Sequence, residues 1–349
     1  MSSQSFLEPR ASTRLDDYVV DIAWAPSGAQ LAVAGGEGKV VLADLSDGSL
    51  TTRTVGEHGM GTLAVAWQPR AAGIEGSLFA SSGQDSALNL WNAATGERHR
   101  QLRPAAAWTE HLAWAPDGRR LASAAGKAVT LWDAAGEKLH ELPAAPSSVA
   151  ALAWDKPGRD LGAAVHGGVV LHRFDAATPM SRRLKWDGAA MTVAFSPNSK
   201  FLASGMQDGS VHFWYLANAR DSQMRGYPGK VTQTAWSSNS RYLATGAGPS
   251  VVVWDFGGKG PEGTRPIELR GHTDRVEALA FQPGGVHLVS GGRDWRISLW
   301  APGKATVAVD AHLAEAEVTA IRWSQDGRFV AVGERQGALT IFELVQSAR

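Results

Sequence analysis

The chain repeats itself eight times, and a repeat of this length constrains the fold more than any local motif does. Segments resembling V-x-x-[LTV]-A-[WF]-x-P-x-G carry their aromatic residue at Trp24, Trp67, Trp114, Trp154, Phe195, Trp236, Phe281 and Trp323. The successive spacings are 43, 47, 40, 41, 41, 45 and 42 residues. A four-stranded propeller blade occupies roughly 40 to 45 residues, longer than most helical repeats. Eight units in 349 residues average about 43.6 each, whereas seven would need about 49.9, so eight blades fit better than the seven-bladed alternative.

Within each copy the apolar residues alternate with period two, as in LAVAW (63–67), LVSGG (288–292) and RISLW (296–300), which is strand patterning. Turn residues follow the first strand, for example Ala25-Pro26-Ser27-Gly28, Ala115-Pro116-Asp117-Gly118, Ser196-Pro197-Asn198-Ser199 and Gln325-Asp326-Gly327. Each unit thus supplies strands A, B and C, with a weaker fourth strand D at 51–55, 100–102, 139–142, 267–269 and 306–309. The repeat units run approximately 18–57, 58–103, 104–143, 144–184, 185–225, 226–270, 271–310 and 311–346 of one all-β domain. The last copy ends near Leu344, too close to the C-terminus for an outer strand. Residues 4–14, with the apolar pair Phe6-Leu7, are therefore expected to complete the last blade and close the ring.

Composition removes several functions. Lys plus Arg and Asp plus Glu both count 34, so a general attraction to nucleic acid or anionic membrane is not expected. There is no cysteine, which excludes disulfides, thiolate nucleophiles and cysteine-ligated zinc. No segment has the length and apolarity of a signal-peptide core or a membrane span, so a cytoplasmic protein is expected. The richness in Ala and Gly hints at a bacterial source.

FLASGMQDGSVHFW (201–214), LFASSGQDSALNLW (78–91) and HLVSGGRDWRISLW (287–300) resemble the B-to-C hairpin of the WD-repeat family, over almost the whole chain. The name-giving dipeptide stands at Trp132-Asp133 and Trp254-Asp255, with variants at Trp91-Asn92, Trp214-Tyr215 and Trp300-Ala301. The resemblance implies a closed propeller used as a non-catalytic platform for protein assembly. It also implies a buried tetrad of His, Ser, Asp and Trp in some blades. Two copies match it completely, with His58, Ser81, Asp85, Trp91 and with His272, Ser290, Asp294, Trp300. A buried carboxylate is costly unless hydrogen-bonded, and histidine can bridge it to a hydroxyl on the next strand. Copy five has Trp186 at the histidine position, copies three, four and six lose the aspartate, and copies one and eight carry Glu37 and Gln336 there. These blades are expected to rely on apolar packing.

Residues with catalytic potential do not assemble into a motif. His166 and His172 flank one C-strand region and His212 lies in the next, without HxxxH spacing or an acidic cluster, so no metal or cofactor is expected. The stretch Gly35-Gly36-Glu37-Gly38-Lys39 is followed by a strand, where a phosphate-binding loop needs a helix. The stretch 257–266 reads as a mobile connector. Of the 14 tryptophans, six take A-strand positions and five end C strands, leaving Trp108, Trp186 and Trp295. The family topology puts these three on the face carrying the D-to-A and B-to-C loops, together with Gln84, Gln207, Arg293, Arg335 and Tyr227. Aromatic residues and arginines most often anchor interfaces, so these eight form the candidate partner-binding face, with Trp186 and Tyr227 equally able to plug the space of a missing tetrad. The expectation is a monomeric scaffold for one or more proteins. Its rivals are a ligand-binding or metal-dependent enzyme using the central channel, and a nucleic-acid-associated propeller.

Overall fold

The computed structural model describes residues 5–175, 178–258 and 260–346. It forms eight antiparallel blades arranged as a closed propeller, the number expected from the repeat spacing. The first blade shows the plan: Val19–Trp24 pairs with Gln30–Gly35, which pairs with Lys39–Ser46, which pairs with Ser49–Glu57. In the fourth blade one continuous element, Asp160–Arg173, supplies both strands B and C. It reverses at Gly167 and Gly168, whose φ values are 87° and 111°. A Cβ on Gly168 would stand 2.1 Å from the Leu184 carbonyl oxygen, so only glycine lets the outer strand Met180–Ala189 approach this closely.

Strand alternation leaves both faces of every blade apolar, and each face is covered by the next blade. Eight clusters of buried side chains result, one at each blade-to-blade interface. The core is thus a ring, and the cluster of Val19, Ile22, Leu31 and Val33 with Leu339 and Ile341 joins the first blade to the last.

The last blade contains Val318–Trp323, Phe329–Glu334 and Ala338–Gln346. Its outer strand is Ser5–Arg14, paired antiparallel with Ala338–Gln346 from Ser5 opposite Gln346 to Arg14 opposite Ala338, with a bulge between Pro9 and Ala11. Leu7 is only 1% exposed within the cluster that includes Trp323 and Phe342. Its amide donates to Asp310 Oδ2 at 2.8 Å. Gln4, included in the expected closing segment, lies outside the described residues.

The A-strand tryptophans do more than fill space. Nε1 of Trp24, Trp114, Trp154, Trp236 and Trp323 each donates to the backbone carbonyl just before the A-strand aromatic of the preceding blade, at 2.9–3.2 Å. Trp24 makes this bond to Arg322, across the closure. Trp67 instead donates within its own blade, to the Gly76 carbonyl.

One local expectation is corrected. The outer strand of the seventh blade is Asp310–Leu313, while residues 306–309 form the connection before it and bridge Arg270 through Val307. Asp310 and His312 select this register, the first through the Leu7 amide and the second by packing on Phe342 with ring centroids 5.0 Å apart. Within the connector, Gly260 and Pro261 are buried, and Glu262 pairs with Arg220 at 3.2 Å.

Candidate functional site

One end of the ring carries the loops from strand D to the next strand A and the turns from strand B to strand C. In two blades a buried polar cluster locks these loops together. His58 Nδ1 donates to Asp85 Oδ1 at 2.9 Å, Ser81 Oγ lies 2.9 Å from His58 Nε2, and Trp91 Nε1 donates to Ser81 Oγ at 2.9 Å. The seventh blade repeats this with His272 Nδ1 at 3.0 Å from Asp294, Ser290 Oγ at 2.7 Å from His272 Nε2, and Trp300 Nε1 at 2.8 Å from Ser290 Oγ. The network is satisfied when Nδ1 carries the imidazole proton and serine donates to Nε2. Burial pushes the Asp85 carboxyl up, but His58 and the Ala87 and Gly59 amides outweigh it and hold the group below the usual carboxylate value.

Three of the six blades without a tetrad do not rest on apolar packing alone, which corrects the sequence expectation for them. In the first blade the buried Asp17 accepts from the Glu37 amide at 3.0 and 3.1 Å, joining the same two loops from the opposite side. In the eighth, Glu334 accepts from the Glu315 and Ala316 amides at 2.9 Å each. In the sixth, Tyr227 stands in for the histidine: its hydroxyl lies 2.7 Å from Thr245 Oγ1 and accepts from Trp254 Nε1 at 2.6 Å. Burial pushes this phenol up to about 12. Tyr227→Phe leaves the Trp254 N–H without its acceptor, and a loss of about 1–3 kcal/mol is expected in urea unfolding. Trp186 fills the fifth blade's gap differently, stacked on the buried His212 at 3.9 Å between ring centroids.

The other candidates lie at the loop end. Trp108 is 49% exposed just before an A strand, and Trp295 is 50% exposed in the seventh B-to-C turn. Gln207, Arg293 and Arg335 are exposed, and Gln84 is half-buried beside Gly61. Trp108 and Trp295 belong to the third and seventh of eight blades, on opposite sides of the ring, so they do not form one compact patch. Arg293 Nε and Arg335 Nε are 2.6 and 2.7 Å from Glu277 and Glu317 in their own blades.

Exposed apolar residues missing from the sequence-derived set connect these points. Tyr18 and Met60 are exposed at the entries of the first and second blades, and Leu313 leaves the outer strand of the seventh. Tyr18 lies over Gly36, where an added Cβ would be 1.8 Å from its ring, so only glycine leaves the ring room to lie flat on the turn. Tyr18 and Trp108 both stand six residues before their A-strand aromatic, a register that identifies Tyr18 once it is compared across copies. The corresponding residues of blades four to six are Ser148, Ala189 and Lys230. Large apolar exposure at the loop end therefore follows an arc through blades seven, eight, one, two and three.

The residue before the A-strand aromatic is alanine in seven copies and Arg322 in the eighth. Arg322 Nη2 donates to Asp21 Oδ1 at 2.6 Å, across the closure. Among the described residues no group of three or more His, Asp or Glu side chains is placed to hold a metal ion. His172 is buried with Nδ1 2.7 Å from Ser181 Oγ, and His166 is exposed. No helix among the described residues is long and apolar enough to cross a membrane.

The family model described as "WD domain, G-beta repeat" matches residues 183–215, 221–255, 263–301 and 303–343. Each match takes the outer strand of one blade with strands A to C of the next. Over blades five to eight the chain is thus similar to the WD-repeat family. The matched repeat is therefore offset from the blade by one strand. Among curated relatives, the chain is 33% identical to THO complex subunit 3 of Arabidopsis thaliana, over 40% of this chain and 44% of that protein. It is 24% identical to the anaphase-promoting complex subunit cdc20 of Dictyostelium discoideum, over 82% and 49%. With the nuclear distribution protein PAC1 of Arthroderma benhamiae it shares 26% identity over 87% and 54%. The chain thus spans about half the length of the curated relatives it matches. The crystal structure of the computationally designed Ika8 protein superposes with a TM-score of 0.80 at 20% identity, covering 96% of this chain and 99% of that one, a likeness of fold.

Proposed function

We propose that this propeller is a non-catalytic interaction scaffold, a cytoplasmic monomer that holds partner proteins on the loop end of blades seven, eight, one, two and three. The observation that carries this reading is the arc of Trp295, Leu313, Tyr18, Met60 and Trp108, each at least 41% exposed. Large exposed apolar residues gathered at one end of a molecule mark a binding surface. The tetrads, Asp17 and Glu334 hold the supporting loops rigid, so little ordering entropy is lost on binding. Two relatives are named as subunits of larger complexes, which supports a place in a multiprotein assembly. The combined variant Tyr18→Ser, Met60→Ser, Trp108→Ser is expected to lose the proteins that co-purify with the wild-type chain, with a melting temperature within about 2 °C of it. Val286→Ser with Val307→Ser, at the opposite end of the seventh blade, should retain them. The reverse pattern would place the binding surface at the other end.

A further inference from the structure

The eight junctions between blades are not equally built. Five carry the indole bond to the preceding blade's carbonyl. Those entering the second, fifth and seventh blades do not, because Trp67 bonds within its own blade and Phe195 and Phe281 have no N–H to give. The second and seventh blades compensate with a complete tetrad and a six-residue A strand, Thr62–Trp67 and Val276–Phe281. The fifth has neither. Its A strand is the two-residue Ala194–Phe195, and Trp186, from the outer strand of the fourth blade, stands where a tetrad would place histidine.

Trp186 covers an imidazole at this junction. His212 is fully buried, stacked under Trp186 and edge-on to Trp214 with ring centroids 4.5 Å apart. His212 Nδ1 and Trp186 Nε1 are both buried with no hydrogen-bond partner among the described residues. Within its own sheet His212 stands opposite the uncharged Ser204 and Gln223. Two carboxylates act on it: Asp221 from the outer strand, whose Oδ2 lies 3.0 Å from Nε2 without the alignment of a hydrogen bond, and Asp208 from the preceding turn. The fourth blade presents Trp186 with Val169, Leu171 and Leu184 to the junction, and Lys185 and Asp187 are exposed on either side of Trp186. A neutral imidazole fits when Nε2 carries its proton toward Asp221. A second proton, on Nδ1, finds no acceptor, and a buried unpaired charge is costly. Burial accordingly pushes His212 below its usual value, with Asp221 and Asp208 pulling the other way. The connection into the fifth blade bonds to both sides of the junction: the Ala190 amide donates to the Val165 carbonyl, Met191 to the Gly205 carbonyl, and Gln207 to the Ala189 carbonyl.

We infer that the junction of the fourth and fifth blades is an acid-opened seam: charging His212 draws the imidazole toward Asp221 and water, displaces Trp186 and frees the connection 189–192, while the other junctions stay closed. Opening returns the imidazole to its usual 6.5, so the closed form keeps its advantage above that pH and loses it as the pH falls below, by up to about tenfold over the first unit. Hydrogen–deuterium exchange of the full chain, read by mass spectrometry at about pH 7.5 and about pH 5.5 and corrected for intrinsic exchange, tests the seam. Protection of residues 186–196 is expected to fall about five- to tenfold at the lower pH, and that of the matching connection into the fourth blade, 143–151, to change less than about twofold. His212→Phe and His212→Gln, neither of which titrates, should each abolish the difference. Phe195→Trp, which supplies the missing indole N–H, should raise protection of the same segment about fivefold at both pH values. A pH difference that survives in both His212 variants overturns the assignment and passes it to His172, which burial in the fourth blade pushes down to about 4. An equal loss of protection around the whole ring overturns it as well.

Discussion

Deleting residues 1–14 is expected to lower the melting temperature by about 10 °C or more and to make the protein prone to self-association. Three losses act together. The truncation uncovers the edge of Ala338–Gln346, a row of backbone groups now paired from Ser5 to Arg14, and an unpaired edge is a template for other chains. It removes Leu7 from the cluster of Trp323, Val330 and Phe342, where burial of one such side chain stabilises by about 2 kcal/mol. It also leaves Asp310 Oδ2 without the Leu7 amide, at the strand that joins the seventh blade to the eighth. Leu7→Asp, which keeps the strand but buries a charge, should reproduce a large part of the loss, about 3 kcal/mol or more. A peptide of residues 5–14 added in trans should raise the melting temperature of the truncated protein in a concentration-dependent manner, since a ligand of the folded state stabilises it by mass action. An unchanged melting temperature on truncation would show that the ring holds by its other closing contacts, Asp21 with Arg322 and Trp24 with the Arg322 carbonyl.

Period and alternation made the blades legible because they record the same event eight times: an A-strand aromatic entering the space between two blades. Features decided by a single contact were harder to read. Residues 306–309, Thr-Val-Ala-Val, look more like a strand than Asp310–Leu313 does, yet the latter is chosen because Asp310 meets the N-terminal segment and His312 meets Phe342, partners at the two extremes of the chain. The replacement of one buried carboxylate by another was hidden for the same reason. Asp17 lies outside the B-to-C turn where the repeat pattern directs attention, although it serves that turn. Of the candidate face, Trp108 and Trp295 could be named by subtracting the structural tryptophans. That they lie on opposite sides of the ring, and that Tyr18, Met60 and Leu313 link them, follows only from the order of the blades.

Ser290→Ala is expected to destabilise the protein by about 3 kcal/mol, more than most single substitutions at a buried serine. Ser290 is fully buried and serves two partners at once, giving its proton to His272 Nε2 and accepting from Trp300 Nε1. Its removal leaves two buried polar groups unpaired. Ser204→Ala in the fifth blade is the control. That hydroxyl also occupies the tetrad register, but it donates to the Thr192 carbonyl and no histidine or tryptophan hydrogen-bonds to it, so about 1 kcal/mol is expected. In a Trp300→Phe background, where no N–H is left to orphan, the cost of Ser290→Ala should fall by about 1 kcal/mol, a coupling that a double-mutant cycle measures directly. Acid provides an independent handle on the same cluster. Burial raises the Asp294 carboxyl, but the Thr273 amide and His272 together hold it below its ordinary 3.8. Its folded value is thus depressed, and its stabilisation is complete above pH 3.8 and lost as the pH falls through that lower value. Asp294→Asn should accordingly cost stability at neutral pH and flatten this acid-induced loss, whereas equal acid sensitivity of variant and wild type would show that the carboxylate contributes nothing to the lock.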